Sequence, residues 1–163
     1  MTVVLVGFMG AGKTTVGRIL AERLALPFVD SDVLIEQRQG RRIKDIFEAE
    51  GEEFFRELEH RTVTGLLQQD AVVALGGGAL GDKRTREALR KARVVYLRVS
   101  YDEALGRVGR DEFRPILQRP DLAAVYQARA AMYEHTSAVT VDTDGRPPDE
   151  VARRVLERLT ALG

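Results

Sequence analysis

The apolar run Val3-Val4-Leu5-Val6 leads directly into Gly7-Phe8-Met9-Gly10-Ala11-Gly12-Lys13-Thr14, and Thr15-Val16-Gly17-Arg18-Ile19-Leu20 follows with helical spacing. A strand, a glycine-rich loop closed by Lys-Thr, and a helix together form the setting of a P-loop. A polyphosphate must be gripped by several backbone N–H groups at once, and glycines let the chain come close and turn tightly enough. Lys13 places a point charge on the β- and γ-phosphates. Thr14 offers its hydroxyl to Mg²⁺, and the N-terminus of the helix that follows favours the anion.

Working outward, short β-rich apolar runs recur at Val3 to Val6, Phe28-Val29, Val72 to Leu75, Val94 to Val99 and Val139 to Val141. Helical spacing or helix-start signals separate them at Thr14 to Ala25, Ser31 to Gln39, Gly51 to Gln69, Arg84 to Lys91, Tyr101 to Val108, Leu122 to Tyr133 and Pro148 to Leu162. Near-continuous apolar strands between helices predict a parallel sheet covered on both faces. The expected fold class is α/β: a three-layer α/β/α P-loop NTPase fold with a five-stranded parallel sheet, of the nucleoside-monophosphate-kinase type. Leu26-Pro27, Gly76-Gly77-Gly78 and Asp144-Gly145-Arg146-Pro147-Pro148 supply turns at the right places. There is no internal repeat and no low-complexity tract.

At 163 residues the chain fits one domain over 1–163, long enough for a proper core. Lys plus Arg and Asp plus Glu balance at 25 each, so bulk charge argues for neither a nucleic-acid nor a membrane partner. The basic residues comprise 21 Arg and 4 Lys, a bias that reflects genome composition more readily than chemistry. The absence of cysteine excludes a disulfide framework, a thiolate zinc site and a cysteine nucleophile. With neither a basic-then-apolar leader nor an apolar run near the ~18 residues of a membrane span, a soluble cytoplasmic monomer is expected.

Ligands of open parallel sheets lie at the carboxyl ends of strands, which directs Asp30-Ser31-Asp32, after the second strand, toward the P-loop edge. One carboxylate suits Mg²⁺ through water, and the other suits an acceptor hydroxyl, as hydrogen-bond acceptor or general base. Either Ser31 or Asp32 also reads as the cap of a helix beginning at Val33. Arg56 and Glu59, at i and i+3, share a helix face and form either a surface ion pair or a locked pair presenting the guanidinium to an anion. Phe47 and Phe55 read as an apolar wall or as plain core. Gly76-Gly77-Gly78 lies at the same sheet edge, and three glycines suggest either a ligand close to the backbone with N–H groups free or a loose turn. The arginine-rich stretch from Gly109 to Pro120 reads as a mobile loop between two helices or as an ordinary solvated connection.

The motifs in their order resemble those of shikimate kinase, the small P-loop enzyme that phosphorylates the 3-hydroxyl of shikimate in aromatic amino-acid biosynthesis. The resemblance runs from Gly7–Thr15 through Asp30-Ser31-Asp32, Ile46-Phe47, Gly51-Glu52, Phe55-Arg56, Glu59, Leu75–Ala79 and Arg114-Pro115 to Arg129. It implies ATP and Mg²⁺ as cofactors, with ATP on Gly10, Ala11, Gly12, Lys13, Thr14, Thr15, Arg107, Arg114 and Arg146, and the metal on Thr14 and Asp30. It also implies shikimate on Asp32, Phe47, Phe55, Arg56, Glu59, Gly76, Gly77, Gly78 and Arg129. Arg56 and Arg129 then take the carboxylate, Asp32 takes hydroxyls and Glu59 orients Arg56. Lys13, Asp32 and Arg114 become the catalytic set. Helices at about 31–60 become the substrate-binding part, and about 109–121 becomes a mobile lid carrying Arg114. The family often has proline and leucine between the arginine and the tyrosine where this chain reads Arg129-Ala130-Ala131-Met132-Tyr133.

Two other readings share the P-loop. A gluconate or nucleoside-monophosphate kinase need not carry paired arginines aimed at a carboxylate. A non-catalytic nucleotide-binding regulator or switch would give no acceptor-dependent ADP release, and one of the small GTPase type calls for an Asn-Lys-x-Asp motif, which this sequence lacks.

Overall fold

In the computed structural model, which describes residues 1–108 and 120–163, β1 (Thr2–Val6) is buried along its whole length and pairs in parallel on both sides. Its neighbours are β3 (Ala71–Ala74) and β4 (Arg93–Arg98). β2 (Phe28–Asp30) adds beyond β3, and β5 (Val139–Asp142) beyond β4. The order β2-β3-β1-β4-β5 is parallel throughout. Val, Leu and Ala fill β1 and β3 because both faces are covered by helices, leaving no solvent side to demand alternation.

This order positions the site. After β1 the chain moves outward to β2 and back to β3, then crosses to β4 on the other side, so β1 ends at the topological switch point. The carboxyl ends of β2, β3 and β1 are consecutive. Three segments distant in sequence therefore emerge side by side: Asp30 onward, Leu75 onward and the P-loop.

Among the described residues the helices are α1 (Lys13–Leu24), α2 (Ser31–Gln39), α3 (Ile43–Glu50), α4 (Glu52–Leu66), α5 (Lys83–Ala88), α6 (Tyr101–Val108), α7 (Leu122–Thr136) and α8 (Pro148–Ala161). They complete three layers around a main core that includes Val3, Leu5, Leu20, Val72, Leu75, Leu97 and Val155. A second, smaller core of Ile35, Ile46 and Phe55, with Ile43, Phe47 and Leu58 against it, joins α2, α3 and α4. These helices thus pack as a unit of their own beside the sheet edge.

Three sequence expectations need correction here. The helices read from spacing do not include α3, although Ile43, Ile46 and Phe47 stand at i, i+3 and i+4 and Gly51 ends it with a φ of 88°. α2 starts at Ser31, not Val33, and neither Ser31 nor Asp32 caps it. The cap is Asp30, whose Oδ1 accepts from the N–H groups of Asp32 at 2.9 Å and Val33 at 3.2 Å. Leu75 and Val99 lie just past the ends of β3 and β4 rather than within them.

Candidate active site

The P-loop glycines serve different needs. Gly10 and Gly12 have φ of 79° and 88°, the left-handed region that other residues avoid. Gly7 is instead required by packing, since a Cβ there would lie 2.6 Å from the Leu97 carbonyl oxygen. Lys13 closes the loop on itself, Nζ donating to the carbonyls of Gly7 at 2.6 Å and Phe8 at 3.3 Å. The Thr14 hydroxyl donates to Asp30 Oδ2 at 3.4 Å. The first turn of α1 and the cap of α2 thus bring two hard oxygens together.

A cavity of about 670 Å³ runs from this loop across the sheet edge to α4 and α7. Its walls include Lys13, Asp32, Phe47, Arg56, Gly78 and Arg129. Asp32 faces it from α2, and its Oδ1 is buried with no hydrogen-bond partner among the described residues. Burial, reinforced by Asp30, pushes its carboxyl up to about 6 against the pull of Lys13 and Arg56.

From α4, Arg56 Nη1 donates to Glu59 Oε1 at 2.7 Å, and its guanidinium carbon lies 5.2 Å from the Phe55 ring centre and 5.9 Å from that of Phe47. The two rings pack at 4.8 Å, so they are at once core and cavity wall. Arg129 arrives from α7. The glycine triplet is where these charged groups pass. A Cβ on Gly76 would lie 2.5 Å from Asp32 Oδ1, one on Gly77 2.9 Å from Arg129 Nη1, and one on Gly78 2.6 Å from Arg56 Nη2 and 2.9 Å from Arg129 Nη2. The triplet is needed for side-chain clearance; none of its members has positive φ. The expectation of free N–H groups fails at Gly76, whose N–H donates to the buried Ser31 hydroxyl at 3.2 Å.

With this geometry in place, the comparison with known families is direct: the family model described as shikimate kinase matches residues 9–160. The chain belongs to the shikimate kinase family. A shikimate kinase from Thermobifida fusca is 45% identical, over 98% of this chain and 95% of that one. Another from Pseudomonas syringae pv. tomato is 46% identical over 98% and 96%. The structure of shikimate kinase from Acinetobacter baumannii in complex with shikimate superposes with a TM-score of 0.93 at 38% identity, covering 98% of this chain and 93% of that one. A gluconokinase from Sinorhizobium meliloti, at 19% identity and a TM-score of 0.60, shares the fold alone.

Arg107 and Arg146, which the resemblance puts on the adenine side of ATP, both line a second cavity of about 320 Å³ with Gly10, Ala11, Gly12 and Thr15. Arg107 is heavily engaged there. It donates to the Gly10 carbonyl at 2.9 Å, the Thr143 hydroxyl at 3.1 Å, the Thr143 carbonyl at 2.9 Å and Glu103 at 3.2 Å, tying the P-loop to the turn after β5. Arg146 donates to the Asp142 carbonyl at 2.8 Å. Arg114 and residues 109–119, most of the stretch of about 109–121 expected to form a lid, lie outside the described residues.

The sequence reading missed several residues. Ser31 holds the glycine triplet. Glu36 accepts from the Ile43 N–H at 3.0 Å, capping α3 from α2. Arg42 and Lys44 line the larger cavity. Overlooking α3 hid Arg42, Lys44 and the partner of Glu36.

Proposed function

We infer that this chain transfers the γ-phosphoryl group of ATP to the 3-hydroxyl of shikimate, giving shikimate 3-phosphate and ADP, a step of aromatic amino-acid biosynthesis. The observation that carries the reading is the continuity of one cavity. Lys13 at one end, the unpartnered Asp32 Oδ1 between, and the guanidinium groups of Arg56 and Arg129 meeting at Gly78 suit a phosphate donor beside a carboxylated alcohol.

The P-loop N–H groups and Lys13 bind the phosphates of ATP, whose base end occupies the cavity lined by Arg107 and Arg146. The Thr14 hydroxyl and Asp30 Oδ2 fit Mg²⁺. They are two oxygens of the kind this cation prefers, and it ordinarily takes few protein ligands beside phosphate and water. When bound, the metal offsets phosphate charge. Arg56 and Arg129 take the shikimate carboxylate, with Glu59 holding Arg56, and Phe47 and Phe55 shape the apolar side. Gly77 and Gly78 line the floor.

Asp32 accepts a hydrogen bond from the 3-hydroxyl and turns its oxygen toward the γ-phosphorus. The new O–P bond forms as the bond to ADP breaks, and the hydroxyl proton leaves through the Asp32 carboxylate to solvent. The chemistry asks for in-line positioning and charge neutralisation rather than covalent participation of the protein. Lys13 supplies the charge, together with Arg114 from a lid over about 109–121. Residues 1–163 act as one kinase domain, with helices at about 31–60 as its substrate-binding part. We take it to act as a monomer in the cytoplasm, without nucleic-acid or membrane partners. Among the described residues, no helix is long and apolar enough to cross a membrane.

ADP release, followed with and without shikimate, tests the reading. Shikimate-dependent release supports it. Turnover of gluconate or a nucleoside monophosphate in place of shikimate overturns it.

A further inference from the structure

Tyr133 has no role in the scheme above, yet it reaches the glycine triplet from the same helix as Arg129. The two are four residues apart on α7 and leave one face of it, a turn apart. The Tyr133 side chain is buried at 2% exposure, its ring packed 5.2 Å from that of Tyr96, and its hydroxyl donates to the Gly77 carbonyl at 2.5 Å. Gly77 therefore meets α7 twice. Its carbonyl is fixed by Tyr133, and its Cα is approached so closely by Arg129 that a Cβ would lie 2.9 Å from Nη1 and 3.7 Å from the Tyr133 hydroxyl.

The carbonyl of Gly77 and the N–H of Gly78 share one planar trans peptide, so they point in opposite directions. Fixing one fixes the other. Gly78 is also the residue on which Arg56 and Arg129 converge.

We propose that Tyr133 is a positioning residue for the carboxylate end of the substrate site: its hydroxyl locks the Gly77–Gly78 peptide, and that peptide sets the seats of the Arg129 and Arg56 guanidinium groups. The inference rests on the shikimate reading of the cavity. Tyr133 does not line that cavity and acts through the backbone it holds.

The same helix provides an internal comparison. Tyr126 also donates its hydroxyl to a backbone carbonyl, that of Val99 at 2.6 Å, and packs on Phe8 and Tyr101, but it lines neither cavity and makes no contact with the glycine triplet. Removing either hydroxyl loses one bond of similar kind. Only one of the two bonds is made to the substrate loop.

Tyr133→Phe and Tyr126→Phe, measured by steady-state kinetics and thermal melting, test the proposal. Tyr133→Phe is expected to raise KM for shikimate about three- to tenfold while KM for ATP stays within about twofold. Tyr126→Phe is expected to lower the melting temperature comparably and leave KM for shikimate unchanged. An unchanged shikimate KM in Tyr133→Phe, an equal rise in both constants, or the same rise in Tyr126→Phe overturns the proposal. Gly77→Ala, which drives a Cβ against Arg129, provides a second route to the same shikimate-selective rise should Tyr133→Phe fold poorly, and an unchanged shikimate KM there also counts against it. Wild-type turnover separates the two levels. A wild-type chain inactive on shikimate refutes the functional reading, whereas an active one whose KM is indifferent to these changes refutes only the role of Tyr133.

Discussion

Arg56 and Glu59 divide their ion pair unevenly between core and cavity: the Glu59 side chain is sealed at 3% exposure, and the Arg56 side chain it holds at 2.7 Å remains 25% exposed. Burial pushes the Glu59 carboxyl up to about 7, against the pull of Arg56 and with a push from Asp32. An acid kept at such a cost, where a well-packed apolar residue would serve stability as well or better, points to orientation as its purpose. Glu59 and the rings of Phe47 and Phe55 hold the planar fork that a carboxylate ligand needs.

Arg56→Ala is therefore expected to act on substrate binding. Loss of a charge-assisted hydrogen bond of about 1.5–3 kcal/mol raises KM for shikimate roughly 10- to 150-fold, with KM for ATP nearly constant. Steady-state kinetics with each substrate varied decide it. An unchanged shikimate constant removes Arg56 from the carboxylate.

Asp32→Asn separates activity from stability. The folded protein holds the Asp32 carboxyl at about 6 against an ordinary 3.8, so the native state binds a proton that the unfolded chain releases between those values. Stability falls as pH rises through that window, and the penalty persists above it. The amide carries no such penalty. At pH 7.5 the variant is expected to be more stable by about 1–3 kcal/mol, read by urea unfolding, while kcat drops about 100-fold or more. A near-normal rate eliminates Asp32 from contact with the hydroxyl.

How much of this was legible in the sequence depends on the kind of signal. The P-loop strand–loop–helix and the apolar strands are local patterns, and the five parallel strands appear where those runs predicted them, with ends shifted by a residue or so. The convergence of Asp32, Arg56 and Arg129 on Gly76, Gly77 and Gly78 depends on strand order and on the approach of α4 and α7, which no local pattern encodes. The triplet was visible, but its physical reason was not: the glycines clear space for charged side chains from α2, α4 and α7. α3 carried a readable spacing of Ile43, Ile46 and Phe47 over a span short enough to pass as a connection between longer helices. Asp30 shows how one residue serves two roles, with Oδ1 capping α2 and Oδ2 facing Thr14.

The pH dependence of kcat/KM for shikimate follows from the same carboxylates. Asp32 must be ionised to take the hydroxyl proton, and burial with Asp30 and Glu36 nearby raises it to about 6 while Lys13 and Arg56 lower it. Glu59, raised to about 7 chiefly by burial, ionises in a neighbouring range. The expected profile falls on the acid side, beginning between pH 7 and 6 and steepening below 6. In Asp32→Asn the residual activity is expected to lose the limb near 6. A wild-type profile flat down to pH 5 removes the need for an ionised Asp32.

Gly7→Ala tests whether the first P-loop glycine serves the fold rather than the phosphate. Its missing Cβ faces the Leu97 carbonyl oxygen of the adjacent strand at 2.6 Å, and β1 and β4 are held there by a ladder running to the pairing of Val6 with Tyr96. Backbone cannot rotate aside as a flexible side chain can, so the methyl must separate the two central strands at the switch point. Overpacking of this kind costs about 1–3 kcal/mol, and the variant is expected to melt about 2–12 °C lower. The Gly7 carbonyl also receives the Lys13 ammonium at 2.6 Å, so displacement of the strand end carries Lys13 with it and kcat falls as well. Differential scanning calorimetry and turnover measured on the same preparation settle the matter. A variant with unchanged melting temperature shows that the strands yield without cost and that Gly7 is kept for another reason.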